Sequence, residues 1–240
     1  MKRMDSATGV TAMEPDFQQR VCACLARVGK AFANGHRLSL LRHLSQGERS
    51  VENLARLACL TVANTSQHLQ HLRNAGLVES RKAGQNVFYR LSEAAHIVQM
   101  LDLIESLAVA RLHEAHRLMD DLGLPAAARE PEQIRRVLDQ AVGGRLLLLD
   151  LRLPEEYAAG ALPGAVNVPF ATLAEWVAQH TPGPVLWLYG RGPCCEEAAL
   201  AERRLRAAGL EAYNLGIGVP QARLQGLMPA VGAEADSAAA

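Results

Sequence analysis

Five cysteines are the side chains of this 240-residue sequence best equipped for chemistry: Cys22 and Cys24, Cys59, and the adjacent Cys194 and Cys195. A thiolate is a nucleophile and a ligand for soft acceptors, so any of them could meet an electrophile or a metalloid such as arsenite or antimonite. Their number is odd, which fits free thiols in a reducing, cytoplasmic setting better than a disulfide framework. Burial as a small apolar residue competes with chemistry, above all at Cys24, which falls on an apolar stripe with Phe17, Val21, Leu25 and Val28. His113-Glu114-Ala115-His116 puts two imidazoles at i and i+3, half of a zinc site. A metalloprotease helix would need its second His one position later, at Arg117, and an exposed helix face explains the pair more simply.

A second chemistry is electrostatic. The chain as a whole is neutral, but residues 36–90 hold eight Lys and Arg (37, 42, 49, 56, 73, 81, 82, 90) against Glu48, Glu52 and Glu79, an excess of five positive charges. Local excess of this kind in a neutral chain is the footprint of a nucleic-acid face. Within it, a helix from Thr61 to about Asn74 sets Val62, Thr65, Leu69 and Leu72 on one side and Asn64, Gln67 and His71 on the other, with His68 at the edge. Asn and Gln pair with adenine in the major groove, and Arg81 and Lys82 at a nearby hairpin tip suit phosphates. The expected contact set is Asn64, Thr65, Ser66, Gln67, His68, His71, Arg73, Arg81 and Lys82.

The elements that must position these residues follow from caps and periodicity. Pro15 opens a first helix, Gly35 a second that closes at Gln46-Gly47, Ser50 caps a third through Leu57, and Thr61 caps the fourth. Leu77–Lys82 and Asn86–Leu91 around Ala83-Gly84-Gln85 read as a hairpin. Ser92 opens one long helix to about Asp121. From Gly123 to Glu130 the composition is that of a linker, and beyond it short apolar strands at 146–150 and 185–189 alternate with helical stretches at 132–142, 171–179 and 196–208. Such alternation predicts an α/β domain on a parallel sheet. The start lacks the apolar core of a signal peptide and no apolar run reaches the roughly 20 residues of a membrane span, so a cytoplasmic protein without membrane contact is expected.

The first half resembles the ArsR/SmtB family of repressors. The resemblance rests on Ala33-Asn34-Gly35-His36-Arg37-Leu38, Gly47-Glu48-Arg49-Ser50-Val51, Thr61 through Leu69, and Ala75-Gly76-Leu77-Val78, over roughly residues 17–121. It implies a mostly α winged helix-turn-helix with a β-hairpin wing, a homodimer on the first and last helices, double-stranded operator DNA as partner, and release by an inducer. Ser50-Val51-Glu52-Asn53 stands where the family's metal sensors carry Cys-Val-Cys, so that metal site is missing. Some arsenic-responsive members use first-helix cysteines with one near the helix-turn-helix, an arrangement Cys22, Cys24 and Cys59 loosely resemble. Positions i and i+2 point about 200° apart on a regular helix, so Cys22 and Cys24 face one ion only if that helix frays.

The second half resembles the rhodanese fold, through Leu149-Asp150-Leu151-Arg152, Glu155-Glu156-Tyr157 and Gly160 to Pro169, over roughly residues 131–229. The resemblance implies a nucleophilic Cys directly after the strand Val185–Tyr189, in a loop whose backbone N–H groups hold the thiolate. That place is taken by Gly190, followed by Arg191, Gly192, Pro193, Cys194 and Cys195, with Asp150 and Arg152 in support. Two readings stay open: a module without catalysis, or a sulfurtransferase whose nucleophile has moved to Cys194 or Cys195, its helical half serving dimerisation. The first expects Gly190→Cys to restore a sulfur acceptor, and no cofactor is required. The expected organisation is a tail at 1–14, the winged helix-turn-helix at 15–122, a linker at 123–130, the rhodanese-like domain at 131–230 and a tail at 231–240.

Overall fold

The computed structural model describes residues 15–124, 129–180 and 185–228. The expected tails at 1–14 and 231–240 lie outside the described residues, as does the middle of the expected linker.

The helical half begins with α1 (Pro15–Phe32) and α2 (Gly35–Ser45). Between them Asn34 is extended, and its Oδ1 accepts from the Arg37 N–H at 3.1 Å, covering one of the orphan donors of α2. β1 (Arg49–Ser50) leads into α3 (Val51–Leu57), where Ser50 Oγ accepts from the Asn53 N–H at 3.2 Å. α4 (Val62–Asn74) is capped in the same way by Thr61 through the Asn64 N–H. These are the caps expected from a Ser or Thr ahead of an apolar period.

β2 (Val78–Ala83) and β3 (Asn86–Leu91) pair antiparallel with Ala83 opposite Asn86, so the hairpin connection is the two residues Gly84-Gln85, one shorter than expected. β1 joins the far side of β3 to give the order β1-β3-β2. Leu40, Leu41, Leu54, Leu69 and Leu72, all inaccessible to solvent, form the core with Tyr89, Leu91, Ile97 and Leu101. The predicted single last helix is two: α5 (Ala94–Arg111) and α6 (His113–Leu122), broken where Leu112 turns extended at φ −105° and ψ 113°. The cap before α5 is Glu93 rather than Ser92, and Ser92 Oγ instead donates to the Gly76 carbonyl at 2.6 Å.

The α/β half runs α7 (Pro131–Val142), β4 (Leu147–Asp150), α8 (Pro154–Ala158), β5 (Ala165–Asn167), a 3-10 turn at Phe170–Thr172, α9 (Leu173–Gln179), β6 (Val185–Tyr189), α10 (Glu196–Ala207), β7 (Glu211–Asn214) and α11 (Val219–Leu224). All pairings are parallel, in the order β5-β4-β6-β7. Side chains of β4 and β6 alternate between two cores: Leu148 and Tyr189 pack with Ile134, Leu138 and Ile217, while Leu149, Leu186 and Leu188 pack with Leu173, Ala198 and Leu205. Gly164 makes the close approach of α7 possible. At φ +75°, a Cβ there would lie 2.5 Å from the Val142 nitrogen, which no side chain could tolerate.

Candidate functional site

On α4, Asn64, Ser66, Gln67 and His71 are exposed, as is Arg73 in its last turn. Thr65 is not among them. It is inaccessible to solvent, and its hydroxyl donates to the Thr61 carbonyl at 2.9 Å, so it belongs to the core face on which the helical wheel also sets it. Val62, expected on that core face, is 46% exposed. His68 is half-buried with its ring 5.4 Å from that of His36, and burial and then the neighbouring His36 hold its pKa below the usual histidine range.

Much of the positive excess is already paired. The Arg37 guanidinium donates to the Ala31 and Lys30 carbonyls, Arg42 pairs with Glu105, and Arg90 pairs with Glu79. Arg81, expected at phosphates, is held by both oxygens of Glu48 and lies over the Phe88 ring at 5.0 Å. Among the described residues of the segment, Arg56, Arg73 and Lys82 are exposed and make no ion pair.

The most buried charges lie where the α/β half meets the helical half. Asp150 and Arg152 are inaccessible to solvent, with Arg152 Nε donating to Asp150 Oδ1 at 3.0 Å and Nη2 to Oδ2 at 2.6 Å. Tyr189, at the end of β6, donates its hydroxyl to Asp150 and accepts from the Leu162 N–H at 3.0 Å; burial, then the Asp150 charge, push its pKa far up. Arg152 Nη1 reaches across to Gln46 Oε1 at 3.1 Å, and Gln46 Nε2 donates to the Arg191 carbonyl at 3.0 Å. Glu156, fully buried, accepts from Arg49 of β1 and from Arg191, both at 2.9 Å. Burial alone would raise the Glu156 pKa, but its two arginines overcome that and leave it lowered. His43 of α2 sits beside this cluster; burial, then the Arg191 charge, bring its pKa down to about 4.

The loop after β6 is therefore tied to the residues that precede the helix-turn-helix. Sequence reasoning reached Asp150, Arg152 and Arg191 but missed Gln46, Arg49, Glu156 and Tyr189. In the sequence Gln46 closes a helix and Arg49, between Glu48 and Ser50, belongs to a basic surface, so neither carries a mark of burial.

Gly190 has backbone angles open to any residue, yet a Cβ built on it would run into Cys195 Sγ and lie 3.0 Å from Cys195 Cβ. The sulfur thus occupies the volume that a side chain at position 190 would need. Cys195 is the cap residue of α10 and is buried, and burial raises its thiol pKa, opposed by the backbone N–H groups of Arg191 and Ala198. Cys194 points the other way, into the joint: its thiol donates to Met119 Sδ at 3.2 Å, and burial, then the Glu105 carboxylate, push its pKa up to about 12. Burial thus works against the thiolate form at both cysteines.

Cys22, Cys24 and Cys59 are all exposed. Cys24 is not in the core, because the apolar stripe of α1 finds no partner within one chain: Phe17 is 54% and Leu25 66% exposed. α1 is an unbroken helix through Cys22 and Cys24, so the pair does not fit one chelated metalloid. Cys59 sits in the turn before α4 at φ +53°. His113 and His116 are exposed, His116 lying 3.4 Å from Asp120. Among the described residues no group of three or more His, Cys, Asp or Glu is placed to hold a metal ion, and no helix is long and apolar enough to cross a membrane.

Residues 32–81 match the family described as a helix-turn-helix domain and residues 133–221 the family described as a rhodanese-like domain. The chain is 39% identical over 205 residues to the HTH-type transcriptional regulator Rv0324 of Mycobacterium tuberculosis, covering 85% of this chain and 88% of that one. It is 42% identical over 78 residues to the transcriptional activator HlyU of Vibrio cholerae, covering 32% of this chain and 71% of that one. Among solved structures, the homodimeric winged helix-turn-helix DNA-binding domain of Mb0332 from Mycobacterium bovis, described as a possible ArsR-family transcriptional regulator, is 36% identical. That likeness covers 43% of this chain and 95% of the other, with a TM-score of 0.39. A winged helix-turn-helix followed by a parallel α/β module, matched along nearly the whole of one relative, places the chain in the ArsR-type transcriptional regulators that carry a C-terminal rhodanese-like domain.

Proposed function

We propose that the chain is a homodimeric repressor that binds double-stranded operator DNA through α4 and the wing, and that its rhodanese-like module is a non-catalytic partner of that domain. The observation that carries the reading is the α4 surface: Asn64, Gln67 and His71 are exposed on one helix face, and Ser66, Arg73 and Lys82 are exposed as well. The N-terminal residues of a second helix-turn-helix helix are the ones that enter the major groove. Dimerisation rests on the uncovered stripe Phe17, Val21, Leu25 and Val28 of α1 together with Leu107 of α5. The functional units are taken as 15–122 and 131–230.

The inducer is a thiol-reactive or sulfur-type compound acting on single exposed thiols, with Cys59 the best placed because it abuts α4. A chelated arsenite or antimonite is not supported, given the orientation of Cys22 and Cys24. Lack of catalysis follows from Gly190 in the nucleophile's place and from two neighbouring thiols whose pKa values are raised. A second reading has one observation in its favour: the sulfur of Cys195 fills the space of a side chain at 190, which makes Cys195, not Cys194, the displaced nucleophile of a sulfurtransferase.

Gel-shift titration against the upstream region of its own gene should show binding that falls steeply with salt, as phosphate contacts require. Absence of binding at low salt, together with thiosulfate:cyanide transfer abolished by Cys195→Ser, would reverse the two readings.

A further inference from the structure

A cavity of about 450 Å³ lies between the two halves, within the range of small-molecule sites. α5 and α6 contribute Leu103, Val109 and Met119; the α/β half contributes Ile134 and Ile217. Among the described residues that line it there is no Lys, Arg or His, while Asp102, Glu105 and Gln221 are present. Glu105 is already paired with Arg42. Among the described residues Asp102 makes no ion pair, and the Arg42 charge reaches it only from a distance. Its hydrogen bond comes from Gln221 Nε2 at 2.9 Å, and burial holds its pKa above the usual carboxylate range. The other end of that amide, Gln221 Oε1, is buried with no hydrogen-bond partner among the described residues.

We propose that this cavity binds a small organic cation, an apolar body with one amidinium, guanidinium or ammonium head that pairs with Asp102. The apolar walls take the body. The polar groups left wanting are both acceptors, a carboxylate short of a positive partner and an orphan carbonyl oxygen, and a head with several N–H donors satisfies both. An anion would meet Asp102 and Glu105. A neutral apolar compound would leave Gln221 Oε1 dry and unbonded, which costs free energy. Asp102 belongs to α5 and Gln221 to α11, so the head competes for the hydrogen bond that joins the two halves. Resting on the reading of the chain as a DNA-binding regulator, the cation is then a second effector of DNA binding, acting apart from the thiol-directed inducer.

Benzamidinium is the probe, with benzamide and benzoate as neutral and anionic ligands of the same shape. Calorimetric titration of the full chain without DNA should give one benzamidinium per chain, with benzamide weaker by about tenfold or more and benzoate not bound. Asp102→Asn, which leaves Gln221 a partner, should weaken benzamidinium by about tenfold or more. The site is overturned if benzamidinium does not bind, if benzamide or benzoate binds as tightly, or if Asp102→Asn binds equally well. Should Asp102→Asn fail to fold, the three-ligand comparison decides alone. Gel shifts with and without benzamidinium test the effector role separately: unchanged operator affinity at saturation overturns that role. A chain that binds no DNA overturns the regulator reading and leaves the calorimetry to judge the cavity.

Discussion

Restoring a cysteine at position 190 is a sharper test of the loop than the sequence suggests. From sequence, Gly190→Cys only adds a missing atom. In the structure the new Cβ collides with Cys195 Sγ and sits 3.0 Å from Cys195 Cβ and 3.5 Å from Ala198 Cβ. The sulfur is not the free end of a flexible chain. It is one bond from the Cβ of a buried cap residue, between β6 and α10, so it can yield only by moving the helix start. Overpacking of this kind costs about 1–3 kcal/mol. Moving the sulfur instead of adding one should remove most of that cost: in Gly190→Cys/Cys195→Gly the volume is nearly conserved, and glycine is a tolerated N-cap. The expected order of urea midpoints, with reductant present, is parent, then the double variant, then Gly190→Cys. After exposure to thiosulfate and removal of excess reagent, mass spectrometry should find an added sulfur atom on the double variant and not on the parent. A Gly190→Cys chain as stable as the parent, taking up sulfur without the second change, would refute the placement of the Cys195 thiol and the argument built on it.

The joint and the DNA face yield four more tests. Arg49→Met leaves Glu156 buried with Arg191 as its single cation, and breaking a buried pair costs about 3–5 kcal/mol; the lower end is expected in urea unfolding, and no loss would mean that the joint does not form in solution. Gln67→Ala should cost about 1–3 kcal/mol on the operator alone, whereas Lys82→Ala should weaken all DNA alike and lower the salt slope by about 1. Arg81→Ala should do less than Lys82→Ala, because Glu48 already holds Arg81; equal effects would show that the pair opens on DNA. His43 has its pKa lowered to about 4 from 6.5, so on acidification the unfolded chain takes up a proton that the native chain refuses. Its contribution is nil above pH 6.5 and grows to about 3 kcal/mol of lost stability by pH 4. His43→Gln should flatten that part of the profile, and an unchanged slope would locate the proton elsewhere, Glu156 being the neighbour whose own stabilisation is lost only as pH falls through its lowered value.

What could be read in advance was local. Ser50 and Thr61 are caps because a hydroxyl followed three residues later by a free N–H is a contact within one turn, and the structure has both. The Gly164 turn and the apolar strands around Leu148 and Leu188 are likewise properties of a few adjacent residues. Short strands with polar ends escaped: β5 ends in Asn167 and β7 in Asn214, and at three and four residues neither carries a usable period. The break at Leu112 escaped because neither Gly nor Pro marks it and the apolar spacing runs on across it. Arg49 and Glu156 escaped for a more basic reason. They are 107 positions apart, and nothing in either neighbourhood names the other as its partner.

The same joint ties the loop after β6 to the residues that lead into the helix-turn-helix. Sliding the α/β half along the helical half would strip Arg152 Nη1 of Gln46, the Arg191 carbonyl of its donor, and Glu156 of Arg49 in a single motion. Each loss leaves a buried polar or charged group short of a partner, and such losses run to several kcal/mol together. Apolar contacts alone would charge far less for a small slip. The docked arrangement is therefore narrow, and Arg49, its contact on the helical side, is also a residue of the three-stranded sheet: it pairs with Tyr89 of β3, the central strand next to the wing strand β2. Ser50, directly after it, caps α3. A displacement of Arg191 or Glu156 would thus bear first on Arg49, which is paired to β3 and directly precedes the α3 cap.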